Sequence, residues 1–339
     1  MKRVVTVVTV AVVLLGVFAG CTPKQESSAS GDWAWRRKVT FISPWGPGGG
    51  SGPTIRNIAP EVERVIGNPV EVVHQEGAGG LNGIVAANRQ PPDGYTWVLA
   101  TQTQVMLELQ RRIPFSFREQ FIPVARLVHS TNGLVVAAKT AVGRYSNFQE
   151  FLDDIRANPR SVTIGILSLT DNASIVQALG LGLGVSYGEI ANLVRVVPYS
   201  SGSEMDAAMV GGHLDAAVGS PGDYEGLIQS GHVIPLIVMA ERRLPSYPDV
   251  PATVPDFNID ATIGTWRGIF VRKGTPQAAI DAMEAALRQA WGSQAYQTFM
   301  EAEGFLERDS NFMGQEGFRN LVEEEFEELE ELLKGLGEI

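Results

Sequence analysis

The sequence predicts an α/β fold, and three observations support this prediction. Short segments rich in Val, Ile and Leu recur along the chain, as the strands of a buried sheet require. Most are followed by glycine or small polar residues and then by apolar residues at helical spacing, which is the strand–loop–helix order of α/β proteins. These units form two sets, and a chain of 339 residues, 44% of them hydrophobic, is long enough for about two domains.

The N-terminus has the pattern of a signal peptide. Two cations precede the apolar run Val4 to Phe18, which is shorter than the ~20 residues that a membrane-spanning helix needs. Cys21 is the only cysteine, so a disulfide framework and a cysteine-based metal site are excluded. Cys21 directly follows the small residues Ala19 and Gly20, and this arrangement resembles the lipobox of bacterial lipoproteins. An incidental cysteine is the alternative. We interpret residues 1–20 as a signal peptide and 21–36 as a lipidated N-terminus with a flexible tether.

The formal net charge of −11 argues against nucleic acid as a partner. An anionic ligand would have to be held by local dipoles and hydrogen bonds. The four histidines are scattered without the spacing of metal ligands, so structural or surface roles are expected for them, and no cofactor is predicted.

The first strand, Val39 to Ile42, leads into a glycine loop with the sequence WGPGGGSG. A helical pattern follows over 54–66, in which Pro60 predicts a kink or a break. Backbone N–H groups and the positive end of a helix point at an anion in such an arrangement, and glycine lets a ligand approach the backbone. A mobile surface loop is the alternative.

Two further strands of this set also end in residues suited to a ligand. Val70–His74 precedes the glycine loop Glu76–Gly80, and Tyr95–Ala100 precedes the polar run Thr101–Gln104. Ligands of open α/β sheets bind beyond the carboxyl ends of the strands. A solvated loop is the alternative for the polar run.

Strands are predicted next at 124–128 and 134–138, and then a second set of units begins. Its strands, 162–166, 193–197 and 214–218, end at Ser168, at Pro198-Tyr199 and at Gly219-Ser220. Small hydroxyl residues with Asp and Asn at a helix start predict N-caps, and the same groups are able to contact a ligand. The remaining predicted strands are 233–239 and 268–271. Apolar residues from Val322 to Leu336 predict an amphipathic helix with an acidic solvent face.

Six blocks in this order resemble the substrate-binding receptors of tripartite tricarboxylate transporters, the Bug-type periplasmic binding proteins. The blocks are SPWGPGGG (43–50), EGAGG (76–80), PPDGYTWVLAT (91–101), VPYSSGSEMDAAMVGGHLDAAVGS (197–220), YPDVPATVPDF (247–257) and GIFVRKGTP (268–276). The resemblance implies a type II periplasmic binding protein fold: two α/β lobes joined by crossing strands, with a ligand cleft between them. The lobes would comprise 37–132 plus 262–339, and 133–261.

The same resemblance implies a function and a set of site residues. The protein would be a monomeric, non-enzymatic receptor of the periplasm or cell envelope that captures a small carboxylate for a membrane permease and touches the membrane through a lipid on Cys21. The residues implied as ligand-binding are Trp45, Gly46, Pro47, Gly48, Gly49, Ser51, Gly77, Ala78, Gly79, Thr101, Gln102, Ser168, Thr170, Tyr199, Ser220 and Asp223.

The chain departs from the family's pattern at three places, with Gly52, Gln75 and Ser200 in positions that usually hold Asp, Arg and Lys. An Asp at position 52 would accept a hydrogen bond from a ligand's ammonium group. Its loss predicts that a plain carboxylate is a better ligand than an acidic amino acid.

Other functions are weighed against this interpretation. A ligand sensor for a membrane signalling receptor would use the same module. An enzyme on the same scaffold is disfavoured because no P-loop, nucleophile elbow or His-Glu-x-x-His motif is present. Core packing is expected for Trp45 and Trp266, and a surface ion pair for Arg267.

Overall fold

The computed structural model describes residues 33–48, 50–141, 144–199, 201–303, 305, 312–337 and 339. Cys21, Gly49 and Ser200 lie outside the described residues. The described residues belong to one unit, 32–339, and the lobe boundaries given above stay a prediction.

The described chain contains strands β1 (Val39–Ser43), β2 (Val70–His74), β3 (Thr96–Ala100), β4 (Phe121–Ser130), β5 (Gly133–Ala137), β6 (Val162–Ile166), β7 (Val194–Pro198), β8 (Ala216–Gly219), β9 (Val233–Val238) and β10 (Thr265–Arg272). Its helices are α1 (Ser51–Ile66), α2 (Leu81–Asn88), α3 (Gln102–Leu109), α4 (Phe117–Gln120), α5 (Ala138–Ala141), α6 (Phe148–Ala157), α7 (Leu169–Leu183), α8 (Tyr187–Leu193), α9 (Gly202–Gly211), α10 (Glu225–Gln229), α11 (Thr253–Phe257), α12 (Gln277–Trp291), α13 (Gln294–Ala302) and α14 (Gln315–Leu336). Short 3₁₀ turns lie at Ala78–Gly80 and Pro221–Tyr224.

The strands form two sheets with the same topology. The first has the order β2-β1-β3-β10-β4 and the second the order β7-β6-β8-β5-β9. In each sheet three parallel strands are followed by an antiparallel fourth strand and then by an edge strand, which is antiparallel to the fourth. We call the first sheet with its helices lobe 1 and the second with its helices lobe 2.

Each sheet is buried between helices, as its apolar strands predict. In lobe 1, α1, α12 and α13 cover one face, while α3 and α14 supply side chains to the apolar cluster on the other. In lobe 2, α6 and α7 supply most of the helical side chains of the larger cluster, and α9 covers a smaller one. The two sets of strand–loop–helix units are therefore two sheets, as the sequence predicts.

The chain crosses between the sheets at Thr131-Asn132 and returns just before β10. Asn132 is 2% exposed, and its Nδ2 donates to Ser174 Oγ at 2.7 Å. Thr265 Oγ1 donates to Asn132 Oδ1 at 3.3 Å, and Ser174 Oγ also donates to the carbonyl of Ile263 at 3.1 Å. The two crossings are thus hydrogen-bonded to each other and to lobe 2.

Three sequence expectations about elements need correction. α1 runs through Pro60 without a break; Pro60 lies on the exposed face, where water can satisfy the carbonyl that has lost its partner. The polar run Thr101–Gln104, for which a solvated loop was the alternative, is instead the buried start of α3. Helices α4, α5, α8, α10, α11 and α13 were also not predicted from the sequence. Among the described helices, none is long and apolar enough to span a membrane.

Candidate functional site

The predicted site residues of lobe 1 lie beyond the carboxyl ends of three neighbouring parallel strands. The loop Trp45–Ser51 follows β1, the turn Gly77–Gly80 follows β2, and Thr101 follows β3. Carboxyl ends of parallel strands meet at one edge of a sheet, so these three segments form one surface.

The glycine loop folds back onto the first turn of α1. A Cβ placed on Gly52 would lie 2.3 Å from the carbonyl oxygen of Gly46 and 2.6 Å from the carbonyl carbon of Pro47. A Cβ on Gly46 would lie 2.8 Å from a carboxylate oxygen of Glu76. Gly52 is therefore required by close backbone approach, and an Asp cannot enter this position without moving the loop.

The N-terminus of α1 has no side-chain cap and no acidic residue in its first turn. Arg267 of β10 lies against it, because a Cβ on Gly50 would be 2.0 Å from Nη2 of Arg267. The guanidinium also donates to Ser51 Oγ at 3.4 Å and to Ser130 Oγ at 2.9 Å. A cation and the positive end of a 16-residue helix therefore converge at the base of the glycine loop.

Arg267 is 5% exposed, which overturns the expectation of a surface ion pair. Among the described residues, no carboxylate oxygen lies within 4.0 Å of its guanidinium. Burial lowers the pKa of Arg267, and the charges of Asp223 and Asp171 in lobe 2 oppose that shift. The electrostatic partners of this lobe 1 cation thus include two carboxylates of the other lobe.

The second glycine segment combines an exposed turn with a buried end. Gly77, Ala78 and Gly79 are exposed and have φ angles of 115°, 51° and 64°. Gly80 is buried with φ 87°, and a Cβ there would lie 2.8 Å from Gln104 Nε2 and 3.1 Å from the Trp45 ring. Trp45 is half-buried and packs against the core of lobe 1, as expected.

Thr101 and Gln102 are both buried, at 3% and 2% exposure. Thr101 caps α3 in a capping box with Gln104. The Gln102 amide accepts a hydrogen bond from the N–H of Trp266 at 3.0 Å and donates to the carbonyl of Gly264 at 3.0 Å. Both the oxygen and the nitrogen of the Gln102 amide are therefore already hydrogen-bonded to the backbone. By contrast, Gln104 Nε2 is buried and has no hydrogen-bond acceptor among the described residues.

In lobe 2 the predicted site residues again follow parallel strands. Ser168 caps α7 in a capping box with Asp171, which confirms the predicted N-cap. Thr170 is fully buried, with its Oγ1 3.4 Å from Thr103 Oγ1 of lobe 1. Tyr199 follows β7 and is half-buried against a lobe 2 cluster. Ser220 and Asp223 form a capping box after β8.

Two residues that the sequence analysis did not select lie on the first turns of α9. A Cβ on Gly48 of the lobe 1 loop would lie 3.6 Å from Ser203 Oγ, so the start of α9 faces the glycine loop. Asp206 lies three residues later and therefore on the same helix face. Burial raises the pKa of Asp206 to about 6, and the charge of Asp223 adds to the shift.

The two surfaces face each other, and we call the region between them the interlobe cleft. Three pairs connect them: Gly48 with Ser203, Thr103 with Thr170, and Arg267 with Asp223 through their charges. The segments predicted from sequence lie on these two surfaces, and their role in binding stays a prediction. The sequence analysis expected a surface ion pair for Arg267 and did not select Gln104, Ser203 or Asp206. The i, i+3 spacing of Ser203 and Asp206, and the alternation of side chains along β10, were the available signals.

A second concavity lies between α14 and strands β4 and β10. Its volume is about 250 Å³, and its walls are mainly aromatic and aliphatic, with Phe117, Phe270 and Phe326 among them. It contains none of the predicted site residues. Within the described ranges, no three His, Cys, Asp or Glu side chains are placed to hold a metal ion.

The family model described as "Tripartite tricarboxylate transporter family receptor" matches residues 54–337. The chain belongs to this receptor family. A relative encoded in the tcbD–tcbE intergenic region of Pseudomonas sp. strain P51, named a UPF0065 protein, is 27% identical over 286 residues, which cover 82% of this chain and 81% of that protein.

Solved structures agree with the receptor-family fold. The periplasmic binding protein BugD superposes with a TM-score of 0.78 at 22% identity, covering 89% of this chain and 98% of BugD. MatC from Rhodopseudomonas palustris with bound malate superposes with a TM-score of 0.77 at 22% identity, covering 88% and 99%. The predicted type II periplasmic binding protein fold with two α/β lobes is confirmed. Receptors of this family are periplasmic solute-binding proteins that bind a small molecule and work with a membrane permease.

Proposed function

We propose that this chain is an extracytoplasmic lipoprotein that captures a small carboxylate for a tripartite tricarboxylate-type uptake system. The observation that carries the proposal is Arg267, a buried cation at the uncapped N-terminus of α1 with no carboxylate within 4.0 Å among the described residues. Removal of a charge from water is costly unless an opposite charge is close, and a ligand carboxylate would supply one.

The glycine loop supports the same role. The N–H groups of Ser51 and Gly52 are at the first turn of α1, where no side chain caps them, and Arg267 lies beside them. Hydrogen bonds to a charged group contribute about 1.5–3 kcal/mol each. Malate, a dicarboxylate, is bound by the structural neighbour MatC. The predicted site residues of both lobes, including Gly49, are proposed to close around the ligand, except that Gln102 is assigned a positioning role.

The test is a thermal-shift screen of the purified protein against mono-, di- and tricarboxylates, with their neutral amides as controls. A ligand at 100 times its Kd adds about 2.7 kcal/mol of stability. We expect a rise in Tm with at least one carboxylate and none with its amide. Equal shifts with acid and amide, or no shift with any carboxylate, would contradict the proposal.

The lipid anchor is a separate part of the proposal. Cys21 follows the apolar N-terminal run directly, and we propose that its thiol is acylated after cleavage of residues 1–20. Mass spectrometry of the mature N-terminal peptide should show a diacylglyceryl-type mass increase on Cys21. The Cys21→Ser variant should leave the membrane fraction. Equal membrane retention of the variant would refute the anchor.

A further inference from the structure

We propose that the carboxylate ligand also carries a cationic group, and that Asp206 and Asp223 of lobe 2 bind this group. The ligand would be a zwitterion that spans the interlobe cleft, with its carboxylate at Arg267 and its cation at the two aspartates. This inference rests on the proposed function, because it specifies the class of carboxylate that the same cleft takes. It reverses the expectation, based on Gly52, of a plain carboxylate.

Three aspartates of lobe 2 lie close enough for their charges to interact. Asp223 interacts electrostatically with both Asp171 and Asp206, and all three charges act on the buried hydroxyl of Tyr224. Within the described part of the chain, none of the three has a Lys, Arg or His nitrogen within 4.0 Å. These carboxylates are therefore placed together without a contacting cation.

The three carboxylates differ in how the protein uses them. Oδ2 of Asp171 accepts hydrogen bonds from the N–H groups of Leu167 and Ser168, both at 2.9 Å, so Asp171 has a capping role. Asp223 uses only Oδ2, which accepts from the N–H of Ser220 at 3.1 Å. Its Oδ1 is buried and accepts no hydrogen bond from any described residue. A buried acceptor of this kind is costly unless a donor fills it, and the ligand's cation is the donor we assign.

The position of Asp206 points to the same place. Ser203, one turn earlier on α9, meets the glycine loop at Gly48, so this helix face borders the cleft. Asp206 is half-buried, and among the described residues no cation lies within 4.0 Å of its carboxylate. Its charge interacts with that of Asp223 on the neighbouring turn after β8. The two carboxylates together can hold a primary or secondary ammonium group, which has the N–H donors that Asp223 Oδ1 needs.

The opposite side of the cleft has the opposite charge. Arg267 and the start of α1 are positive, while Asp206 and Asp223 are negative. The half-buried Glu303 of lobe 1 also interacts with Arg267 and Asp223, and it adds to the negative charge that a plain dianion would meet. A zwitterion complements both sides, whereas the second carboxylate of a dianion would meet three acidic groups.

Titration of these groups gives a pH signature. Burial raises the pKa of Asp206 to about 6 and raises that of Asp223, although the charge of Arg267 opposes the second shift. Asp171, Glu303 and Tyr224 also face this group, and burial raises the pKa of each. A cation needs the ionised aspartates, so zwitterion affinity should fall as pH drops from 7.5 to 5. A plain anion should show the reverse.

The experiment compares matched ligand pairs by calorimetry on the purified protein. Each pair differs in its cationic group: L-aspartate and L-malate, and γ-aminobutyrate and 4-hydroxybutyrate. We expect at least one cationic member to bind tenfold or more tightly than its partner, and to weaken at least tenfold at pH 5. Binding of the plain carboxylates as tightly as their cationic partners would overturn this inference and leave the proposed function standing. If no member of any pair binds, the inference is overturned. The proposed function is overturned only if the wider screen finds no carboxylate that binds.

Variants then test the assignment to the two aspartates. Asp206→Asn and Asp223→Asn should each weaken zwitterion binding at least tenfold while the plain partner binds equally well or better. Asp153→Asn, an equal charge change on an exposed residue of α6, is the matched control and should change neither affinity. Thermal unfolding of each variant without ligand shows whether it is folded. Unchanged zwitterion affinity in both site variants would refute the assignment.

Discussion

Arg267 lies at the base of the glycine loop with its guanidinium almost completely removed from water. Its described hydrogen-bond partners are two neutral hydroxyls, Ser51 Oγ and Ser130 Oγ. Neutral acceptors satisfy its N–H groups but not its charge, because charge neutralisation needs an anion nearby. In the proposed complex, the ligand carboxylate would supply a contacting anion, in addition to the charges of Asp223 and Asp171 across the cleft.

The Arg267→Gln variant should lose affinity for a carboxylate ligand by about 10- to 100-fold, since a charge-assisted hydrogen bond contributes about 1.5–3 kcal/mol. Its Tm without ligand should stay equal or rise, because a buried charge is removed. Arg272→Gln, at the half-buried far end of the same strand, is the control. Calorimetry measures the affinities, and equal affinity for wild type and Arg267→Gln would contradict the assigned role.

Gly52 shows a second single-residue constraint. A Cβ here would overlap the carbonyl of Gly46, so Gly52→Ala should lower the free energy of unfolding by about 1–3 kcal/mol, the range for overpacking. Gly226→Ala, a helical position where nothing lies within 4 Å of the new Cβ, should instead raise it, by up to about 1 kcal/mol. Urea denaturation measures both. Equal values would show that the loop moves freely away from α1.

Helix α14 connects elements that are distant in sequence. Glu325 accepts hydrogen bonds from Trp266 Nε1 of β10 and, at 3.5 Å, from Gln102 Nε2 of α3. Trp266 is fully buried against Phe270 and Phe318, as its predicted core role requires. One carboxylate therefore joins α3, β10 and α14 beside the crossing strand. The predicted acidic helix is confirmed, but this one glutamate faces inward.

Burial raises the pKa of Glu325 to about 7, with the charge of Glu328 adding to the shift and the bonds to Trp266 and Gln102 and the charge of Arg126 opposing it. A raised pKa means that the folded state holds a proton that the unfolded state has released. Stability from this group should therefore fall as pH rises from about 4.5 to 7. Glu325→Gln should remove about 2 kcal/mol of that decline.

The measurement is the free energy of unfolding in urea at several pH values between 5 and 8. Glu331→Gln is the matched control, because it makes the same change on an exposed position of α14. Its pH profile should follow that of wild type. An identical profile for Glu325→Gln and wild type would mean that Glu325 is ionised in the folded protein throughout this range.

The whole molecule consists of two sheets with the same strand order whose carboxyl edges face each other. The contact between the two lobes at Thr103 and Thr170 lies beside the hydrogen bond that joins Asn132 of the crossing to Ser174. Movement at the crossings would therefore separate the loop residues near Gly48 from those near Ser203. Closure around a ligand is the motion that this layout permits.

A disulfide across the lobes tests this motion. The hydroxyl oxygens of Thr103 and Thr170 are 3.4 Å apart, so cysteine sulfurs at these positions would start from a similar separation and would have to move closer to reach the ~2.05 Å of an S–S bond. The Thr103→Cys/Thr170→Cys variant, made with Cys21→Ser, should form this bond under mild oxidation and release bound ligand at least tenfold more slowly. The single Thr103→Cys variant is the control. Ligand release at an unchanged rate in the oxidised double variant would contradict closure as the gate.

Much of the fold was predictable because most strands are short apolar runs, and most of these runs are followed by glycine or a helix cap. β2 and β6 begin and end at the predicted residues. The start of α3 was missed because Thr101–Gln104 consists of polar residues, whose burial depends on neighbours far away in sequence. Capping and hydrogen bonds to β10 compensate for that burial.

The candidate site was likewise predictable only in part. Its loops were predictable, because their position after parallel strands depends only on local order along the chain. The charges were not, because the environment of Arg267, Asp206 and Asp223 depends on which elements meet across the cleft. Sequence alone thus determined the α/β class and the family, and it predicted the segments of the candidate site. The tertiary structure decided which charges are buried together, because burial and Coulomb interaction depend on distance in space, whereas sequence fixes only distance along the chain.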